Sequence, residues 1–248
     1  DVEEVFALFP RIAERRRAMA GTLSGGERRM LAIGMTLLLK PKVLLLDEPL
    51  SALDKKMREH MQVELIKLQR QVGITFILVT HDQEEALVMS DRIAVMFEGE
   101  IAQLADPETL YRRPNSKKVA DFIGTMNVVP ATVLSESGDK VEVDAKGLGH
   151  VTIDASMAPP SKGESPVVGL RPETLTLLYD DQKAAERETE GVIDEVIYFG
   201  DMTYYDVYLG GTDVEVRLSM RNVPGRPVLD VGTKVRVAWS PSALVLFR

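Results

Sequence analysis

Val2, Val5, Phe6 and Phe9 recur at helical spacing, and Pro10 stops that run. A second helical stretch is expected over Ile12 to Met19, with Arg15, Arg16 and Arg17 on its solvated face. Met30, Leu31, Ile33, Gly34, Leu37 and Leu38 then mark a helix that starts after Ser24 and ends by Pro41. The pattern changes at Val43-Leu44-Leu45-Leu46, where apolar residues run without alternation into Asp47 and Glu48. That run predicts a strand buried on both faces, as in a parallel sheet, and Pro49 closes it. Met57, Met61, Leu65, Leu68 and Val72 form the core stripe of a helix ended by Gly73. Ile74 to Val79 is a second buried-strand run, followed by Thr80-His81-Asp82 and a helix with Gln83, Glu84 and Glu85 in its first turn. Ile93 to Phe97 and Ile101 to Leu104 predict a hairpin around Gly99, and short helices follow at Asp106 to Tyr111 and Val119 to Ile123.

Helical periodicity fades after Gly124. Ten short β-like runs take its place: 128–133, 140–143, 150–153, 167–170, 174–178, 191–199, 203–209, 214–218, 234–238 and 244–247. Gly, Pro, Asp and Ser separate them, which suggests a small barrel or sandwich. Pro159-Pro160-Ser161 reads as a loop, and Asp180 to Glu190 as an exposed loop or short helix. The fold class is therefore a mostly parallel α/β part, residues 1–125, followed by an all-β OB-like barrel, residues 126–248.

Composition narrows the function. The chain has 248 residues, 45% of them hydrophobic, and a formal net charge of -8, which argues against a nucleic-acid partner. It has no cysteine, so a disulfide framework and a thiolate metal site are both excluded. No apolar run approaches the ~20 residues that span a bilayer, and the opening Asp1 to Phe9 is acidic rather than signal-peptide-like. The absence of an initiating Met suggests a processed or truncated piece.

The candidate chemistry lies at strand ends. Asp47 and Glu48 would sit at the carboxyl end of one strand and His81 at the carboxyl end of another, where open α/β sheets place ligands. Two acids against so apolar a strand suggest a divalent metal or a proton transfer. Ser24 and Glu27 have capping-box spacing, with Gly25 and Gly26 between them. Each glycine in a first turn costs ~1 kcal/mol relative to Ala, so their use points to close backbone approach, and bare amides at a helix start suit a phosphate. His60 and His150 read as structural or merely exposed.

These residues resemble a known family. Leu23-Ser24-Gly25-Gly26-Glu27 looks like the signature motif of ABC ATPases, and Val43 to Asp47 like their Walker B strand. Glu48 resembles the catalytic glutamate, Ser51-Ala52-Leu53-Asp54 the D-loop and His81 the switch histidine, in the family's order and spacing. Gly169 to Glu173 and Val196 to Asp201 resemble the TOBE extension of importer ATPases, and from Pro41 onward the chain looks most like those of polyamine (spermidine/putrescine) importers. Two departures stand out. Residues 1–40, Ala7 to Gly34 in particular, look more like branched-chain amino-acid importer ATPases, and Met35 stands where those usually carry arginine. The phosphate-loop pattern G-x-x-x-x-G-K-[ST] does not occur, and Gly-Lys is absent from the 248 residues. The chain is thus expected to begin inside the helical subdomain and, alone, to hydrolyse ATP poorly or not at all.

The resemblance implies ATP and Mg²⁺ as cofactors. It assigns Asp47 to the metal, Glu48 to the attacking water, His81 to the γ-phosphate, Ser24, Gly25, Gly26 and Glu27 to nucleotide on a partner, and Asp54 to coupling across the interface. It implies an ATPase subunit dimer, transmembrane permease subunits and, indirectly, an extracytoplasmic solute-binding protein, at the cytoplasmic face of the inner membrane. Importers of sugars, ferric iron, thiamine or branched-chain amino acids share this architecture. A soluble ABC ATPase of DNA repair or translation would carry coiled-coil arms or a second cassette instead of a β-rich tail. A non-hydrolysing remnant is a further alternative, which gains weight from the missing loop and the mixed character of residues 1–40.

Overall fold

The computed structural model describes residues 2–51, 53–158, 165–179 and 182–248. The expected loop at Pro159 to Ser161 lies outside them, as do Asp180 and Asp181. Two compact units are present, one formed by residues 1–93 with 105–107, the other by residues 94–104 with 108–248.

The first unit opens with α1 (Val2–Leu8) and α2 (Pro10–Glu14), and Pro10 sits at the start of α2, where its missing N–H costs nothing. The expected helix to Met19 is shorter than the pattern suggested: Arg15 already leaves the helix, and the three arginines form an exposed turn. Then come α3 (Gly25–Leu37), β1 (Val43–Asp47), α4 (Lys55–Val72), β2 (Thr75–Val79) and α5 (Gln83–Met89). Gly73 ends α4 in the left-handed conformation at φ 66°, as its position just past the last apolar residue predicts. Helix α1 lies close to α3 because residue 34 is glycine: a Cβ there would come within 2.6 Å of Val5 Cγ1.

Strands β1 and β2 pair in parallel, Val43 opposite Thr75 and Asp47 opposite Val79. The crossover through α4 is what a parallel pair requires. Met61, Leu65 and Leu68 of α4 are at most 3% exposed, each burial worth about 1.5–3 kcal/mol. They share one core with Met30 and Ile33 of α3 and with Leu44 and Leu46 of β1.

The expectation that β1 and β2 are buried on both faces is not met. Leu44 and Leu46 are buried, whereas Leu45 is 61% exposed and Val43, Ile77 and Val79 are also exposed. The reason is geometric: successive side chains of a strand point to opposite faces, and the helices of this unit cover one.

The second unit holds the hairpin β3 (Ile93–Phe97) and β4 (Glu100–Ala105), then α6 (Pro107–Arg112) and α7 (Lys117–Phe122). Ten strands follow: β5 (Asn127–Ser137), β6 (Lys140–Ala145), β7 (Gly149–Asp154), β8 (Val167–Leu170), β9 (Thr176–Leu178), β10 (Arg187–Phe199), β11 (Met202–Leu209), β12 (Glu215–Arg221), β13 (Lys234–Trp239) and β14 (Val245–Phe247). Each expected run is found. They form two five-stranded sheets, in the orders β12-β11-β10-β13-β9 and β14-β8-β5-β6-β7. Alternation places Val141, Val143 and Ala145 of β6, and Val216, Leu218 and Met220 of β12, in one shared core. Residues Arg187 to Glu190, expected in a loop or helix, extend β10 because they pair with β13 from Trp239 to Arg236. The composition changes at about residue 125, whereas the contacts divide at residue 93, because Gln103 and Phe97 hold the hairpin to the α6–α7 segment and that segment is tied to the strands by a buried arginine.

That residue is Arg171, 4% exposed. Its Nη1 donates to the carbonyls of Ala120, Gly124 and Thr125, and its Nη2 to that of Tyr111. The guanidinium lies 4.2 Å from the centre of the Tyr111 ring, whose hydroxyl donates to Glu173 at 2.8 Å. Burial, and then that bond, push the Tyr111 phenol up to about 12. Cationic hydrogen bonds satisfy the carbonyls at the end of α7, where a positive charge is favoured. Arg171→Ala is expected to lower the stability of this unit by about 3 kcal/mol, read as a lower urea midpoint of Trp239 fluorescence. Arg171→Lys should fall between. Unchanged midpoints in both variants would refute the role.

Candidate functional site

The parallel register brings the site together. Asp47 pairs with Val79, so the residues that leave β1 and β2 do so side by side. The Glu48 N–H donates to the Val79 carbonyl at 2.8 Å, one bond beyond the ladder. Glu48 then turns into the left-handed region at φ 41°, unusual for a residue with a Cβ and the kind of strain that concentrates at functional sites. Its carbonyl accepts from Arg29 Nη1 at 3.3 Å and from the Ser51 hydroxyl at 3.0 Å, which hold that conformation. Its carboxylate Oε1 lies 3.4 Å from His81 Nε2. Both side chains are open to solvent, His81 at 89%.

They border a cleft of about 610 Å³ also lined by Ser51, Arg58, Thr80 and Asp82. Glu85 closes it from beneath, 1% exposed and accepting from the Thr80 hydroxyl at 2.9 Å. Asp47 is exposed at the end of β1, so neither expected acid bears the cost of burial that first drew attention to them. Among the described residues no group of three or more His, Asp and Glu side chains is placed to enclose a metal ion. A single open carboxylate still fits Mg²⁺, which keeps several waters and binds one or two carboxylates beside phosphate oxygens.

Ser24 and Glu27 form the expected capping box. The Glu27 N–H donates to Ser24 Oγ at 3.2 Å and the Ser24 N–H to Glu27 Oε2 at 2.7 Å. Gly26 has a packing role as well, since a Cβ there would meet Met57 Cε at 3.3 Å, whereas one on Gly25 would make only an ordinary contact with Leu53 Cδ2 at 3.7 Å. Asp54 caps α4 by accepting from the Met57 N–H at 3.0 Å.

Comparison with known proteins places this chain in a family. A family model described as "ABC transporter" matches residues 1–51, and one described as "TOBE domain" matches residues 168–247. The spermidine/putrescine import ATP-binding protein PotA of Pseudomonas aeruginosa is 47% identical over 232 residues, 92% of this chain and 63% of that protein. The proteins of the same name from Rubrobacter xylanophilus and Pseudomonas fluorescens are 44% and 41% identical, over 91% and 99% of this chain and 58% and 66% of theirs. This chain belongs to the ATP-binding proteins of ABC transporters that carry a TOBE domain. It spans about three-fifths of the first of these relatives, whose covered share is 63%.

Within this ABC ATP-binding protein, the structure brings Glu48 and His81 into contact, with Asp47 one residue before Glu48 at the end of β1. Ser24, Gly25, Gly26 and Glu27 stand at the start of α3, joined to Glu48 through Arg29 of the same helix. Asp54 lies at the start of α4. The sequence reading missed Arg29, Arg58, Thr80 and Glu85. Only Glu85 left a signal, as an acid in a first helical turn, and that signal suggested a dipole effect rather than a buried partner of Thr80.

The Ser24 N–H, and then its hydroxyl, hold the Glu27 carboxyl below its ordinary value of 4.5. A depressed value means that the capping box is complete above 4.5 and is lost as pH falls through the lower folded value. Hydrogen exchange of the Ser24 amide, corrected for intrinsic pH dependence, should therefore stay protected at pH 5 and lose protection only below the ordinary carboxylate range (about 4.3). Protection lost already at pH 5 would contradict this.

Proposed function

We propose that this protein is an ATP-hydrolysing subunit of an ABC importer and that its solute is a polyamine of the spermidine/putrescine class. The observation that carries the activity is the Glu48–His81 pair at the carboxyl ends of adjacent parallel strands, 3.4 Å apart at the rim of an open cleft. The solute rests on the names of the relatives.

The reaction is phosphoryl transfer to water, in which a protein acts mainly by positioning and by stabilising charge. Glu48 orients the attacking water and accepts its proton. The constrained backbone at φ 41° directs its carboxylate toward the cleft rather than along the strand. His81 donates a hydrogen bond to the terminal phosphate, and its place beside Glu48 sets that phosphate next to the water. Asp47 would help hold Mg²⁺, as an open carboxylate at the strand end can. Mg²⁺, when bound with the nucleotide, neutralises charge on the phosphate oxygens.

Ser24, Gly25 and Gly26 serve a nucleotide on a second ATPase subunit. There the start of α3 offers backbone amides beside the Ser24 hydroxyl, whose oxygen accepts from the Glu27 N–H. Asp54 lies at the same interface. Permease subunits receive the motion and a solute-binding protein acts through them, which places the subunit on the cytoplasmic face of the membrane. No helix among the described residues is long and apolar enough to cross it.

The 248 residues contain no G-x-x-x-x-G-K-[ST] pattern. Purified by itself, the chain is expected to leave ATP unhydrolysed. Joined in frame to a segment that supplies a G-x-x-x-x-G-K-[ST] loop, it should hydrolyse ATP. Glu48→Gln should then lower kcat at least about a hundredfold with nucleotide binding retained. Turnover by the chain alone that vanishes with Glu48→Gln would refute the need for the loop. Turnover by the fusion that survives Glu48→Gln would refute the assignment of Glu48.

A further inference from the structure

His81 has little to hold its ring. The side chain is 89% exposed and meets Glu48 at 3.4 Å. Its position is therefore set by the backbone of residues 80–82, and that backbone is pinned from both sides. The Thr80 hydroxyl accepts from the Asp82 N–H at 3.0 Å and donates to buried Glu85 at 2.9 Å. Asp82 Oδ1 accepts from the N–H groups of Glu84 and Glu85, at 2.9 and 3.2 Å. These bonds are local to the turn and do not join it to α4.

The side chain of Arg58, on α4, makes that join. Arg58 Nη1 donates to Asp82 Oδ2 at 2.7 Å, while Nη2 donates to the Leu53 carbonyl at 3.3 Å. The third nitrogen, Nε, is buried without a hydrogen-bond acceptor, 4.0 Å from Glu85 Oε1. Arg58 is itself anchored where it matters, because its own N–H closes the first turn of α4 on the Asp54 carbonyl at 2.8 Å. A guanidinium is planar and rigid, so two partners on different nitrogens are held at a set separation.

We propose that Arg58 is a positioning residue that joins the segment carrying Asp54 to the turn carrying His81, so that a displacement of one is passed to the other. The inference rests on the reading of His81 as a phosphate contact and of Asp54 as an interface residue. In that setting Arg58 transmits the engagement of Asp54 by a second subunit to the histidine at the phosphate, within one chain. A lysine could bond one partner but not span both.

The coupling is testable on this chain without nucleotide. Asp82→Asn keeps a helix-capping oxygen and removes the charged acceptor of Arg58. It should shift the amide signal of Asp54, which follows the Leu53 carbonyl and has no bond to Asp82. In an Arg58→Met background the same change should leave the Asp54 signal in place, and in Arg58→Lys it should act only weakly. An Asp54 shift of equal size in all backgrounds, or none with Arg58 present, overturns the proposal. If Arg58→Met does not fold, Arg58→Lys alone decides it.

In the fusion that carries a phosphate loop, Arg58→Met should lower kcat about tenfold, since small misplacements of catalytic groups are costly. KM for Mg-ATP should stay within about twofold, with partial recovery in Arg58→Lys. Glu48-dependent turnover that is unaffected by Arg58→Met sinks this inference alone. Absence of Glu48-dependent turnover in the unaltered fusion sinks the proposed function, whereas the amide coupling would still stand.

Discussion

The site depends on the parallel pairing of β1 with β2. The Glu48 N–H reaches the Val79 carbonyl at 2.8 Å just past the last paired residues, Asp47 and Val79. That bond ends the ladder at one level on both strands. From there the two chains must diverge, because Pro49 cannot extend the sheet and Asp82 starts a helix. A one-residue slip would send Leu44 and Leu46 to the open face and move Glu48 away from His81. The hydrophobic core thus sets the register, and the register sets the distance between the two groups assigned to chemistry.

Helices α3 and α4 add a second constraint. Both begin with side-chain caps, Ser24 on α3 and Asp54 on α4, and both send an arginine from their first two turns into the strand-end region. Arg29 bonds the Glu48 carbonyl and Arg58 bonds Asp82. The left-handed backbone at Glu48 costs of order 1–3 kcal/mol and persists only where its surroundings over-determine it. Arg29, Ser51 and the Val79 carbonyl provide that. Local strain at Glu48 is offset by packing several residues away, in the shared core of Met30, Met61 and Leu65.

The second unit follows a different rule. Its strands alternate buried and exposed positions, so two sheets can share one core without helices between them. Polar residues join what the core does not. Asn127 bridges β5 to β12 through its side-chain amide, at 2.7 and 2.8 Å to the Arg217 N–H and carbonyl. Arg171 binds α6 and α7 to the strands in the same way. Each does the work of a strand neighbour where no strand can reach.

Much of this could be read from the sequence by itself. The period of the apolar positions determined the strands β5 to β14, the α4 stripe and its stop at Gly73. Ser24 with Glu27 at capping-box spacing determined how α3 begins, because a cap is a local interaction between residues three apart. The run Val43 to Glu48 and the turn at His81 were legible as strand ends for the same reason. Exposure was not. An apolar run looks alike whether one face of its sheet is covered or two, so the open face of Leu45 and Ile77 came only from the structure. The arginines were equally silent, since the partners of Arg58 and Arg171 lie 24 to 60 residues away or on another element. The same holds for the extension of β10 through Arg187 to Glu190, polar residues that become a strand because β13 lies beside them. Periodicity and capping are written in neighbours along the chain, whereas coverage, register and long-range ion pairs exist only once the chain has folded onto itself.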